Sequence, residues 1–229
     1  MTEGEWLTSA EPQVMLGFLR GGSSERKHRL FAVACCRRIW DLLTDERSRK
    51  AVELAEDAAD HPIPPHTLDA ASGEAEEAFE DAISPDEGST AERREKTGAA
   101  CTAASYASNS PAVLHADAVE VMRAAADATA DSGAERAGQA TLVRELWAYS
   151  LRTITLNPTW LTPTVTDLAR AAYEERIMPS GELELDRLGV LSDALEEAGC
   201  ADADVLNHLR SPGPHVRGCW ALDLVLGKE

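Results

Sequence analysis

The sequence of 229 residues predicts an all-α protein, an irregular bundle of about eight to ten helices with no significant sheet. Apolar residues recur at helical spacing, as in Leu188, Leu191 and Leu195. Alanine, which has the highest helix propensity, supplies 16 of the 42 residues from 99 to 140. No segment alternates apolar and polar residues with the period of two that marks a half-buried strand. We therefore expect one helical domain that covers residues 1–229.

Caps and prolines predict the helix boundaries in the first third of the chain. Ser24 is placed to cap a helix that runs to about Leu43, and Thr44 begins another helix that ends near Asp60. The prolines within residues 61–66 interrupt the chain before the next helix. The apolar residues of the Ser24 helix occupy a broad arc, which predicts a central helix packed on several neighbours.

Charge is spread unevenly along the chain. The 22 Lys and Arg against 40 Asp and Glu give a net charge of −18, and residues 51–90 contain twelve acidic side chains but no Lys or Arg. This stretch could form a docking surface for a basic partner, a solvated helical face, or a surface paired internally with the basic stretch 26–50. The acidic and alanine-rich middle, residues 51–140, could form a sub-bundle, or be partly flexible around residues 84–91.

The net charge and the cysteine pattern exclude several classes of protein. A charge of −18 disfavours nucleic acid and anionic membranes as partners, because both are polyanions. No apolar run approaches the 18 or so residues that a membrane span requires. Five scattered cysteines and an acidic N-terminal segment are not typical of a secreted disulfide scaffold. We therefore expect a cytoplasmic protein with reduced thiols.

No common catalytic motif is found in the sequence. It contains no P-loop, no GxGxxG turn, no G-x-S-x-G elbow and no H-E-x-x-H helix. The leading hypothesis is therefore a non-enzymatic helical module in the bacterial cytosol, acting in protein interaction or regulation. A protein partner or a second copy of the chain is expected for such a module. Whether the chain is an enzyme stays open, with the balance towards a non-enzymatic role.

Two cysteines and two histidines near the C-terminal end are spaced C-x7-H-x6-H-x3-C, namely Cys200, His208, His215 and Cys219. Two thiolates and two imidazoles suit tetrahedral zinc, so a metal- or thiol-dependent protein is the first alternative. We expect the terminal helix to run from His215 to Leu226, which would put His215 and Cys219 one turn apart. Because buried cysteine also serves as a small apolar side chain, core packing is the competing interpretation.

Three arginines at the edges of the apolar arc of helix 24–43 suggest a different site. Arg26, Arg37 and Arg38 could hold a phosphate or carboxylate, which makes an anion- or nucleotide-binding protein the second alternative. The competing interpretation is that these arginines pair with the acidic helices of the same chain.

Both ends of the chain carry a family resemblance. The N-terminal run EWLTSAEPQVMLGFLRGGSSERKHRLFAVACCRRIWDLLTDERSRKAVELAE and the C-terminal run LDRLGVLSDALEEAGCADADVLNHLRSPGPHVRGCWALDLVLGKE cover about 100 residues. They resemble the two ends of the proteins of a large paralogous family of planctomycete bacteria. The most specific motifs of this resemblance are CCRRIW and GPHVRGCW. The resemblance implies common descent and no chemistry, because no established activity accompanies that family.

Overall fold

A computed structural model describes residues 1–19, 23–84, 90–108, 114–147 and 155–228. Within these ranges the backbone forms twelve α-helices and one two-stranded sheet. The all-α prediction is therefore confirmed. The helices outnumber the predicted eight to ten because four of them have only six or seven residues.

The helices and strands follow one another in the order α1 (Glu3–Thr8), α2 (Pro12–Phe18), α3 (Glu25–Arg38), α4 (Glu46–Ala58), α5 (Pro65–Ile83), α6 (Ala91–Ser108), α7 (Leu114–Ala128), α8 (Ser132–Leu146), α9 (Pro163–Glu174), β1 (Arg176–Ile177), β2 (Glu182–Leu183), α10 (Leu185–Glu197), α11 (Ala203–Leu209) and α12 (Trp220–Leu226). The strands pair antiparallel, with Arg176 opposite Leu183 and Ile177 opposite Glu182. An isolated bridge between Glu182 and Val216 attaches the segment before α12 to this hairpin.

The first hydrophobic cluster is built around α3. Eleven of the 14 residues of this helix are buried, and it packs against α4, α6, α7 and α8. Cys35 and Cys36 are fully buried in this cluster. The broad apolar arc of the sequence thus corresponds to a helix that is surrounded on most sides.

Two helix boundaries differ from their predicted positions. α3 ends at Arg38 and a short 3-10 turn, Trp40–Leu42, follows it before the predicted end at Leu43. α4 is capped by Asp45, whose carboxylate accepts a hydrogen bond of 2.8 Å from a backbone amide of the first turn. Asp45 is thus the cap of α4, rather than Thr44.

The second hydrophobic cluster lies between α9, α10, α11 and α12. Tyr173, Leu188 and Leu191 are among its fully buried side chains, and Cys200 and Cys219 belong to it. The chain therefore contains two hydrophobic clusters. Their behaviour as one domain over residues 1–229 stays a prediction.

The segment before α12 is a turn and not the first part of a helix. Cys219 is the N-terminal cap residue of α12, so the predicted helix start at His215 is wrong. Gly218, within the predicted helix, has a φ angle of +88°, which a right-handed helix does not allow. The Cys219 amide donates instead to the carbonyl of Val216, at 2.9 Å.

A buried ammonium group joins the two clusters. The side chain of Lys27 on α3 is 10% exposed, and its Nζ lies 2.6 Å from the carboxylate of Asp223 on α12. The same nitrogen donates to the carbonyl of Gly218 at 2.6 Å and to that of Leu146, the last residue of α8, at 3.0 Å. Burial lowers the pKa of Lys27, although the charge of Asp223 opposes this shift. The three acceptors match the three donors of an ammonium group, so three distant segments of the chain meet at one nitrogen.

Arg26 extends this network to the end of α4 and to α9. Its guanidinium lies 2.7 Å from Asp223 and 2.8 Å from Asp60, and it donates to the hydroxyl of Tyr173 at 2.6 Å. Lys228 also pairs with Asp60, at 2.7 Å. Burial acts to raise the pKa of Asp60, but the hydrogen bonds from Lys228, Tyr173 and Arg26 prevail and lower it to about 2.

The acidic stretch is partly neutralised within the chain. Arg47 on α4 lies 2.6 Å from Asp81 on α5, and Lys50 lies 3.7 Å from Glu74. Internal pairing, one of the three predicted alternatives, therefore accounts for part of the stretch. Other carboxylates of α5 are exposed, which leaves the docking-surface and solvated-face alternatives open.

The helices of the acidic and alanine-rich middle pack in succession, α4 on α5, α5 on α6 and α6 on α7. Because α3 also packs on α4, α6 and α7, a separate sub-bundle over residues 51–140 stays a prediction. Residues 85–89, within the predicted flexible segment 84–91, lie outside the described residues. None of the helices in the described ranges combines the length and the apolar character that a bilayer crossing requires.

The Lys27 contacts predict a large loss of stability in Asp223→Asn. Removing this carboxylate charge leaves the Lys27 ammonium buried without its counter-ion, which costs about 3–5 kcal/mol in comparable buried pairs. Urea unfolding followed by circular dichroism measures the free energy of unfolding.

Asp193→Asn is the matched control, because Asp193 is 70% exposed and its pair with Arg210 lies on the surface. We expect it to change the free energy of unfolding by less than about 1 kcal/mol. Equal stabilities of the two variants would contradict the role given to the Lys27 network.

Candidate metal centre

Four side chains that can ligate a metal converge where α8, α11 and the turn before α12 meet. Glu145, His208, His215 and Cys219 each offer one ligand atom, and these atoms all lie within 4.8 Å of one another. His208 Nε2 lies 3.2 Å from Glu145 Oε2 and 3.3 Å from Cys219 Sγ. His215 Nδ1 lies 3.0 Å from Glu145 Oε1.

These separations are close to those of a tetrahedral zinc site. Zinc binds nitrogen and oxygen at about 2.0–2.2 Å and thiolate sulfur at about 2.3 Å, so neighbouring ligand atoms lie roughly 3.3–3.7 Å apart. The three distances of 3.0–3.3 Å are slightly shorter than this range, and the other pairs lie no further apart than 4.8 Å. An ion bound here would require the three close pairs to move apart.

Each ligand occupies a position that its local structure fixes. Glu145 lies in the last turn of α8 and His208 in the last turn of α11. The carbonyl of His215 accepts a hydrogen bond of 2.8 Å from the amide of Leu183, which ties the turn to the β-hairpin. Cys219 is the cap of α12.

Lys27 holds the backbone on both sides of this cluster. Its ammonium binds the carbonyl of Leu146, next to Glu145, and the carbonyl of Gly218, next to Cys219. A Cβ atom at residue 218 would lie 2.9 Å from a methyl carbon of Leu30, so a glycine is required there. The network that joins the hydrophobic clusters thus also sets the distance between two of the candidate ligands.

Both nitrogens of His215 have hydrogen-bond partners. Nε2 lies 3.1 Å from the backbone carbonyl of Ser211 and 3.2 Å from the hydroxyl of the same residue, so it can donate to the carbonyl or accept from the hydroxyl. Nδ1 lies 3.0 Å from a carboxylate oxygen of Glu145 and can donate to it when it carries the proton. A metal ion bound by Nδ1 would replace that proton.

Burial and mutual contact shift the pKa values of the cluster. Burial acts to raise the pKa of Glu145, but hydrogen bonds from His208 and His215 prevail and lower it. Burial acts to lower the pKa of His215, but the hydrogen bond and charge of Glu145 raise it. The thiol of Cys219 has its pKa raised well above the usual value by burial and by the nearby Glu145.

The structure brings together three of the four residues of the predicted Cys2His2 site. His208, His215 and Cys219 converge, whereas Cys200 lies outside the cluster and fills a buried position beside α10 and α11. Glu145 takes the fourth place. One feature of the sequence points to Glu145. It is a carboxylate that directly precedes Leu146 and follows Leu142 by three residues, and both of these leucines of α8 are buried.

The three arginines of the predicted anion site each bind carboxylates of the same chain. Arg26 binds Asp60 and Asp223 as described above, and Arg37 Nη2 lies 2.5 Å from Glu56. The guanidinium of Arg38 donates to both carboxylate oxygens of Glu135, at 2.8 and 3.0 Å. These contacts favour the internal-pairing interpretation over an anion site on α3.

The fold and the four side chains define an all-α protein with a candidate Glu-His-His-Cys metal centre. Comparison of the chain with models of known protein families, with curated proteins and with solved structures finds no match. The resemblance to a planctomycete family therefore stays a prediction.

Proposed function

We propose that this chain is a zinc-binding helical module in which Glu145, His208, His215 and Cys219 hold one structural Zn²⁺. The observation that carries the proposal is the convergence of four ligand atoms from three separate segments within 4.8 Å. Thiolate, imidazole and carboxylate are the three donor types that zinc accepts in proteins.

Charge balance supports a metal at this position. One carboxylate and one thiolate neutralise the two charges of Zn²⁺, while the two imidazoles bind as neutral ligands. The side chains of Glu145 and His215 are 4% and 0% exposed, so a neutral centre avoids a net buried charge. Zinc binding would lower the raised pKa of the Cys219 thiol, because a coordinated thiol is deprotonated.

The number of protein ligands supports a structural role. Structural zinc sites have four protein ligands, whereas catalytic zinc keeps one position for water or substrate. Four ligands from this chain leave no such position in a tetrahedral site. This agrees with the hypothesis of a non-enzymatic module that acts in regulation or protein interaction.

The setting and partners of the module belong to the same proposal. The five cysteines form no disulfide with one another, and the reducing bacterial cytosol is the setting that we propose. A protein partner or a second copy of the chain remains the expected binding partner, and nucleic acid remains disfavoured by the charge of −18. The exposed carboxylates of α5 would form the surface that binds a basic protein partner.

Elemental analysis after purification without chelators tests the metal. We expect about one zinc ion per chain in the wild type and a loss of zinc in Cys219→Ala, because a coordinating thiolate is removed. Cys200→Ala is the matched control, since Cys200 is equally free and buried but lies outside the cluster. A wild-type protein that neither retains nor takes up zinc would overturn the proposal.

Removal of the metal tests the structural role. A ligand at 100 times its dissociation constant stabilises the folded state by about 2.7 kcal/mol, and for a chain of this size that corresponds to roughly 5–10 °C in Tm. We expect EDTA to lower the Tm of the wild type and of Cys200→Ala by this amount. The Tm of Cys219→Ala should not respond to EDTA. A metal that binds without changing Tm would argue against a structural function.

A further inference from the structure

A cavity of about 490 Å³ opens beside the candidate metal centre. Its lining contains the half-buried Trp220, the buried Trp6 and Trp147, Arg144 and the metal-site residue His208. Sites for small molecules have volumes of about 300–1,000 Å³ and combine apolar walls with a few polar groups. The size and the walls of this cavity fit a ligand with an aromatic or bulky apolar body.

Arg144 is a charged group in this cavity, and its partners among the described residues are neutral. Its guanidinium donates to the backbone carbonyl of Ser9 at 2.8 Å, to that of Trp6 at 3.3 Å and to the Thr141 hydroxyl at 3.2 Å. These acceptors are all neutral, and within the described part of the chain no carboxylate forms an ion pair with Arg144. Arg26, Arg37 and Arg38, by contrast, each have a carboxylate partner.

The guanidinium of Arg144 is half-buried, and burial lowers its pKa. A guanidinium that is half-buried in this way binds a carboxylate strongly, because two parallel N–H groups meet two oxygens. The cavity would supply the remaining contacts through the indole of Trp220.

We infer that this cavity binds a small carboxylic acid with an apolar body, whose carboxylate pairs with Arg144 and whose body lies against the indole of Trp220. Glu3, Glu145 and Asp204 also line the cavity, so a ligand with a single negative charge or a zwitterion fits better than a dianion such as phosphate. The inference goes beyond the metal centre and does not depend on it, because a zinc ion with one carboxylate and one thiolate adds no net charge.

Isothermal titration with 3-phenylpropionate as the probe tests this inference. We expect 3-phenylpropionate to bind measurably to the wild type. The amide 3-phenylpropionamide, which has the same shape but no charge, should bind more weakly. Arg144→Gln should weaken the binding of 3-phenylpropionate at least about tenfold, which is the effect of losing a bidentate charged pair. Arg136→Gln is the matched control, because Arg136 is an exposed arginine on the same helix that does not line the cavity.

A second variant covers the possibility that Arg144→Gln fails to fold. Asn207 is exposed on α11 and lines the cavity, so Asn207→Trp should fill the cavity and abolish binding while the helical circular dichroism stays unchanged. Absence of binding to the wild type, equal binding of the amide, or unchanged binding in both Arg144→Gln and Asn207→Trp would overturn the inference.

Titration of 3-phenylpropionate into zinc-loaded and into chelator-treated protein distinguishes failure of the cavity proposal from failure of the metal-centre proposal. Binding of 3-phenylpropionate to a wild type that takes up no zinc would support the cavity and overturn the metal centre. Zinc uptake without any binding of the acid would do the reverse.

Discussion

The buried ammonium of Lys27 is the interaction on which the rest of the structure depends. It lies on the most buried helix and binds the end of α8, the turn before α12 and the carboxylate of Asp223. An ammonium can be kept in such a place only when every donor is paired, since an unpaired buried charge costs several kcal/mol. The three acceptors must therefore keep their positions relative to one another. This requirement also holds the two hydrophobic clusters together.

The candidate metal centre and the cavity both follow from this constraint. Glu145 and Cys219 directly adjoin the two carbonyls that Lys27 holds, and Glu145 and Arg144 are neighbours on α8. Adjacent residues on a helix point about 100° apart, so one turn of α8 presents a carboxylate to the metal centre and a guanidinium to the cavity. Structural metal binding and ligand binding would thus share one junction of the fold.

The sequence predicted the fold class and part of the centre for different physical reasons. Helical spacing and alanine content are local properties, so the all-α class and the central position of α3 followed from them. The spacing of His208, His215 and Cys219 identified three ligand candidates. Glu145 lies 63 residues before His208, and only the tertiary fold brings the two together. The non-helical segment 215–218 was missed because the positive φ angle at Gly218 depends on neighbouring side chains.

X-ray absorption at the zinc edge tests the metal centre most directly, because it reports the atoms bound to the ion. We expect one sulfur ligand at about 2.3 Å and three nitrogen or oxygen ligands at about 2.0–2.2 Å. The sulfur ligand should persist in Cys200→Ala, whereas any zinc that Cys219→Ala still binds should show no sulfur ligand. A site with two sulfur ligands, or a six-coordinate site without sulfur, would contradict the Glu145, His208, His215 and Cys219 assignment.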